Sequence, residues 1–395
     1  MRTGSLSILG AAVWDGDRFT KRDLHIVEGT VSDRPAADTT TVNGRGRWLI
    51  PGLIDAHFHA YATSQDGLED ERGPLSYAAI NGTRRLHAAL QRGFTTVRDV
   101  AGGDIGLSRA IDADLFPSPR YLFTGPALSQ TGGHGDPRSA HVDICFTHGH
   151  MCEIIDGVEP LRIAVRNRLR TGAHAIKVMA SGGVFSLTDP IRVPQYSDEE
   201  LQVVVAEATR RGSYVAAHAY SSEAVQHAIS NGVRSIEHGN LIDAATAGRI
   251  ADAGAYLVPT LAAYDAMDRR GAAIGLNATS LAKNAEVLSQ GREAVRLALA
   301  AGVRVGFGTD LMGELEDDQL CGVRLQVEAS GAAATLHAMT TVNAALIRDE
   351  RAGHLGSGAY GDAVLLTADP IAEPAALWEQ DARALVVRGG IAVAP

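Results

Sequence analysis

Between residues 48 and 310 the apolar residues gather in eight short runs. They are WLIPGLIDAHFH (48–59), FTTVRDV (94–100), YLFTG (121–125), AIKVMA (175–180), YVAAHAY (214–220), RSIEHGN (234–240), AYLVPT (255–260) and VRVGFGTD (303–310). Near-continuous apolar runs of this length read as strands buried on both faces of a parallel sheet. Between most of them lie amphipathic stretches with helical spacing, such as SDEELQVVVAEATRRG (197–212) and SSEAVQHAISNG (221–232). The first opens with Ser197 followed by Asp198 and Glu199, as a capped helix does. Eight β/α units in series predict an α/β fold, a (β/α)8 TIM barrel over residues 51–355.

The two ends carry a different pattern. Residues 1–50 hold short, polar-interrupted strands broken by Asp15-Gly16, Glu28-Gly29 and Asn43-Gly44, and residues 356–395 repeat the style in GDAVLLTADP and ALVVRGG. Both read as antiparallel β structure. Chain termini often meet in space, so the ends are expected to build one small β-sandwich domain together. One connection breaks the rhythm: residues 125–156 show little periodicity, and a loop that long is usually functional. It follows the third strand, so it should hang over the barrel's C-terminal face, where such enzymes keep their active sites.

Charge and composition narrow the partners. Lys and Arg number 36 against 46 Asp and Glu, a net charge of −10 with no polybasic cluster, which argues against nucleic acid and anionic membranes. No apolar stretch approaches the roughly 20 residues that span a bilayer. The opening MRTGSLSILGAAVWDGD lacks a signal peptide's apolar core and cleavage site. Cys145, Cys152 and Cys321 are too few and too scattered for a disulfide framework, so a cytoplasmic location is expected.

Strand ends carry the candidate chemistry. His57 and His59 stand two apart, and side chains two apart share one face of a strand. His218, His238 and Asp310 end three other runs, and Lys177 sits inside AIKVMA. A lone strand-end histidine is usually a hydrogen-bonded structural residue; six metal-capable residues at matching ends of one barrel are not explained that way. Imidazole and carboxylate suit zinc and similar divalent ions. Protonated lysine has no lone pair to offer a metal, yet burying its ammonium unpaired is costly. His141, Cys145, His148, His150 and Cys152 lack the tight cysteine pairs of a structural zinc site, so 138–152 reads as a lid or a contact between copies.

IPGLIDAHFHA, the strand-end Lys177, His218, His238 and GTD at 308–310 resemble the amidohydrolase superfamily over nearly the whole chain. TGGHGD, QYSDEEL, AAHAY and SIEHGN are most similar to its imidazolonepropionase-like group, which includes zinc-dependent Xaa-Pro dipeptidases of prolidase-like carboxypeptidase type. The resemblance implies two divalent ions, zinc above all. His57 and His59 would hold the more buried one with Asp310, and His218 and His238 the other. Lys177, carboxylated by CO₂, would bridge them, and hydroxide between the ions would attack an amide carbonyl. Asp310, Lys177 and His238 form the implied catalytic set, with Asp310 as proton shuttle. Segments 138–152 and 189–196 depart from the family's pattern where substrate would be read.

The expected partner is a small molecule with an amide bond beside a free carboxylate, such as a dipeptide or N-acyl amino acid. His134 in its glycine-rich turn, Tyr220 two residues past His218, and Arg192 in the loop after Lys177 are the candidates to grip that carboxylate. A homo-oligomer is expected. Two rivals remain: a one-metal enzyme that opens a cyclic amide or carbamate or releases ammonia, and a metal-free structural relative. The intact ligand set speaks against the second.

Overall fold

The computed structural model describes residues 2–139, 141–142, 149–186 and 189–393. Five strands come from the N-terminal end: β1 (Leu6–Trp14), β2 (Phe19–Val27), β3 (Thr30–Ser32), β4 (Thr40–Asn43) and β5 (Trp48–Pro51). Ten follow in the central region: β6 (Leu53–Phe58), β7 (Phe94–Asp99), β8 (Arg120–Phe123), β9 (Ala127–Ser129), β10 (Cys152–Ile154), β11 (Ile176–Met179), β12 (Val215–Ser221), β13 (Ser235–Leu241), β14 (Tyr256–Val258) and β15 (Arg304–Val305). Three close the chain: β16 (Ala363–Leu366), β17 (Arg383–Arg388) and β18 (Ile391–Ala392).

The two chain ends share one eight-stranded sheet, ordered β18-β17-β16-β5-β1-β2-β3, with β4 beside β1. Its buried cluster includes Ile8, Val13, Leu24, Ile26, Leu49, Leu365 and Val387, drawn from both ends. The sheet is mixed. β16 and β17 pair antiparallel, as do β1 and β2, but β1 runs parallel to β4 and β5. The run WLIPGLIDAHFH therefore serves two sheets: its first half is β5 here, its second half is β6 in the central region.

The central strands form parallel sheets of seven (β10-β9-β11-β12-β13-β14-β15) and three (β6-β7-β8). Every residue of β6, β7, β11, β12 and β13 is buried, as fully covered parallel strands require. The long 125–156 connection contains β9 and β10, three residues each, too short to show a period in sequence. The predicted cap at Ser197 is present as a full capping box: its side chain accepts from Glu200 N at 3.3 Å, and Glu200 Oε2 accepts from Ser197 N at 2.8 Å. Among the described residues no helix is long and apolar enough to cross a membrane. Cys145 and His148 of the His/Cys-rich stretch lie outside the described residues. His150 Nε2 meets Gly73 O at 3.2 Å, and Cys152 is buried as a free thiol.

Candidate active site

A cavity of about 930 Å³ opens at the C-terminal ends of the central strands, and His57, His59, Lys177, His218, His238 and Asp310 all line it. His57 comes from β6 and His59 follows it; Lys177, His218 and His238 come from β11, β12 and β13. Their rings crowd together, with centroids 5.1 Å apart for His57–His59, 5.1 Å for His57–His238 and 4.5 Å for His218–His238. Asp310 lies among them. Its Oδ1 is 2.8 Å from His59 Nε2 and 3.2 Å from His57 Nε2, and its Oδ2 is 3.8 Å from His238 Nδ1.

Local backbone geometry brings these groups together. His238 (φ 73°), Thr260 (φ 47°) and Asp310 (φ 55°) adopt left-handed conformations that non-glycine residues seldom take. A register shift between β12 and β13 accompanies the first, and it lets neighbours Glu237 and His238 both serve the site. Asp310 is brought beside β6 by hydrogen bonds from Ala56 N to Phe307 O (2.9 Å) and from Asp310 N to His57 O (2.8 Å). This approach needs glycine at 308, where a Cβ would stand 2.5 Å from that of His57. Asp55 ties the same two segments, accepting from Thr309 Oγ1 at 2.6 Å and Gln319 Nε2 at 3.0 Å.

The charges suit a cation. Burial lowers the titration of His218 and His238 well below the ordinary imidazole value, so both rings are neutral. Burial alone would raise Asp310, but His57, His59 and His238 outweigh it and hold the carboxyl well below the usual range. Burial pushes Lys177 down to about 8, against the opposing pull of Glu237 and Asp310. Among the described residues no carboxylate lies within ion-pair distance of its Nζ. The ligand atoms of His57, His238 and Asp310 lie within 4.8 Å of one another. Neutral imidazoles beside an ionised carboxylate are the protonation states a divalent metal needs, so the donor set fits.

Two further groups orient the histidines. His57 Nδ1 meets Glu237 Oε2 at 2.7 Å, and Glu237 Oε1 accepts from Arg98 at 2.7 Å, with all three side chains essentially inaccessible. Burial would raise Glu237, but Arg98 and His57 overcome it and keep it ionised. A carboxylate on Nδ1 leaves Nε2 for a metal. His238 Nδ1 lies 2.7 Å from Thr260 Oγ1 and 2.8 Å from Tyr264 Oη. The sequence reading missed Glu237, Arg98, Thr260 and Tyr264. The signal was an Arg in FTTVRDV and a Glu in RSIEHGN, two charges inside buried runs that had to find each other.

Of the three proposed substrate contacts, His134 and Tyr220 line the cavity. His134 stacks on His218 with centroids 4.2 Å apart, and Tyr220 Oη lies 2.9 Å from Tyr264 Oη. Arg192 is not brought there. Its side chain is half exposed and ion-paired with Glu286, because the loop turns back at the Ser181–Pro194 bridge.

Residues 48–393 match the model of the amidohydrolase family. The chain belongs to the amidohydrolase family. It is 32% identical over 372 residues to an ochratoxinase of Aspergillus niger, covering 87% of this chain and 75% of that one. Among solved structures it is similar to a prolidase complexed with N-methylphosphonate-L-proline (TM-score 0.94, 38% identity, 98% and 99% coverage). It is also similar to a Xaa-Pro dipeptidase with methionine in its active site (TM-score 0.87, 27% identity, 98% and 99% coverage). This amidohydrolase is a hydrolase of amide bonds, and its family is generally metal-dependent.

Proposed function

We propose that this amidohydrolase holds two divalent ions, zinc by donor chemistry, and cleaves the amide bond of a small substrate that carries a free carboxylate. The observation that carries the reading is the convergence on one cavity of four histidines, Asp310 and a buried lysine with no carboxylate partner among the described residues. His57, His59 and Asp310 would hold one ion, His218 and His238 the other. Lys177, carboxylated, would supply the bridging carboxylate and so relieve its own burial. Bound ions of this type act as Lewis acids and lower the pKa of water.

The chain's own groups do the rest. Asp310 Oδ1 and Oδ2 face His57, His59 and His238, so the carboxylate can take a proton from attacking water and pass it to the departing amine. Glu237 and Thr260 keep the rings of His57 and His238 from turning. His134 and Tyr220 would bind the substrate's carboxylate. The prolidase and Xaa-Pro dipeptidase neighbours support a dipeptide or N-acyl amino acid as that substrate.

The two parallel sheets are read as one (β/α)8 barrel over 51–355, with 1–50 and 356–395 as the small β-domain. Backbone hydrogen bonds from Ala56 N to Phe307 O and from His174 N to Phe123 O support this by linking the sheets on both sides. Free Cys152 and Cys321 agree with a cytoplasmic enzyme.

A second reading keeps one ion and a cyclic amide or carbamate, since the tight His57–His238–Asp310 cluster would hold an ion unaided. The test compares a dipeptide with its C-terminal amide. Wild type should prefer the acid, and His134→Ala or Tyr220→Phe should raise KM for the acid roughly 30-fold, the worth of about 2 kcal/mol from a charged hydrogen bond. Equal cleavage of acid and amide would favour the cyclic substrate.

A further inference from the structure

His134 belongs to a turn, yet three distant segments hold its backbone and pack around its ring. Its backbone N–H donates to Gln195 Oε1 at 3.0 Å, and Gln195 Nε2 donates to Asp189 Oδ2 at 3.2 Å. The same Asp189 Oδ2 stands 3.7 Å from His134 Nδ1. His218 covers one face of the ring at 4.2 Å, and glycine at 183 makes room for it, since a Cβ there would stand 2.1 Å from His134 Cε1. Asp189 is 4% exposed, and its backbone is fixed in turn. Lys283, on the helix Ala278–Ala300, spans to the cavity wall and donates to Gly183 O (3.0 Å), Ser186 O (2.7 Å) and Asp189 O (2.9 Å). Lys283 Nζ is also 3.9 Å from Asp189 Oδ1.

A surface helix that gives up a lysine to three backbone carbonyls is holding a wall in place. That wall carries the one carboxylate within 4 Å of His134 Nδ1 among the described residues. Nδ1 is turned toward Asp189 Oδ2 at 3.7 Å, an electrostatic contact longer than a hydrogen bond, which leaves Nε2 as the ring nitrogen for a ligand in the cavity; among the described residues neither nitrogen has a hydrogen bond. A histidine on a glycine-rich turn has little rigidity of its own, and a contact that must meet a carboxylate within a few tenths of an ångström needs outside support.

We infer that Asp189 and Lys283 are positioning residues that set the His134 ring for the substrate's carboxylate, and so determine specificity for acids over amides. The inference rests on the reading of His134 as a carboxylate contact. Asp189 acts through Nδ1, and Lys283 acts through the backbone of Asp189. Neither touches substrate, so their loss should weaken binding of the acid and leave the chemical step alone.

The test measures KM and kcat for a dipeptide and for its C-terminal amide in the metal-loaded enzyme. Asp189→Asn and Lys283→Met should each raise KM for the acid about 3- to 30-fold, no more than loss of His134 itself, with kcat within about twofold and the amide little changed. Lys283→Arg should recover most of the loss by again donating to the carbonyls. If Asp189→Asn does not fold, the Lys283 pair decides alone. Unchanged KM in the variants, with wild type still preferring the acid, overturns the inference while sparing the carboxylate reading. An equal fall in kcat on acid and amide also overturns it, as the mark of a merely structural role. A wild type without preference overturns both.

Discussion

Asp310 shows what one residue is asked to do. Its carboxylate meets two imidazoles within 3.2 Å and a third at 3.8 Å, which keeps it ionised although burial opposes that. Asp310→Asn keeps the shape and one ligand oxygen but cannot carry a proton. It should fold and retain most of its metal while kcat falls about 10²- to 10⁴-fold. Near-normal turnover in that variant would remove the shuttle role. The position of Asp310 was legible because GTD ends an apolar run. Glu237 was not, because a buried carboxylate has meaning only with its partner, and Arg98 lies 139 residues away in another buried strand. Lys283 was less legible still, since its partners are backbone carbonyls, which every residue has. Arg192 was legible as a charge but not as a direction: its loop turns it toward Glu286.

Elements hold the cavity by their ends, and helix-to-helix contacts steady the strands beneath. Glu207 knits the helices Val158–Arg170 and Asp198–Arg210. It accepts from Arg162 at 2.7 Å, from Arg166 at 3.0 and 3.1 Å, and from Arg210 at 3.2 Å. The hydrogen bonds from Arg166, helped by Arg162, pull its carboxyl down to about 2. A depressed acid stabilises the fold above its unfolded value and loses that contribution as pH falls through the folded one. Glu207→Gln should therefore cost roughly 1 kcal/mol in denaturant unfolding near neutrality. The gap from wild type should narrow as pH drops from about 4.5 toward about 2; a gap that stays constant would show that the charge is not the cause. Element type was readable wherever runs were long, as the capped helix at Ser197 shows. The short strands β9 and β10 were hidden in an aperiodic connection, because three residues cannot display a period. WLIPGLIDAHFH read as one strand because its apolar pattern runs on unbroken from one sheet into another.

Across the whole molecule, a net charge of −10 surrounds a cavity whose donor set fits cations. That arrangement works because the interior field is set by the nearest groups: neutral His218 and His238, ionised Asp310 and Glu237, and Lys177 pushed down to about 8. The parallel core could be foreseen from continuous apolar runs, and the joining of both chain ends from their shared style. The parallel pairing of β1 with β4 and β5 could not, because direction depends on which strands meet and not on their residues. The central claim is that six strand-end residues form one centre for two ions, with Lys177 needed to join its halves. The most direct test is the metal content of fully loaded protein, measured by elemental analysis against protein concentration. Two divalent ions per chain is the predicted result, and a stoichiometry of one or none would contradict it.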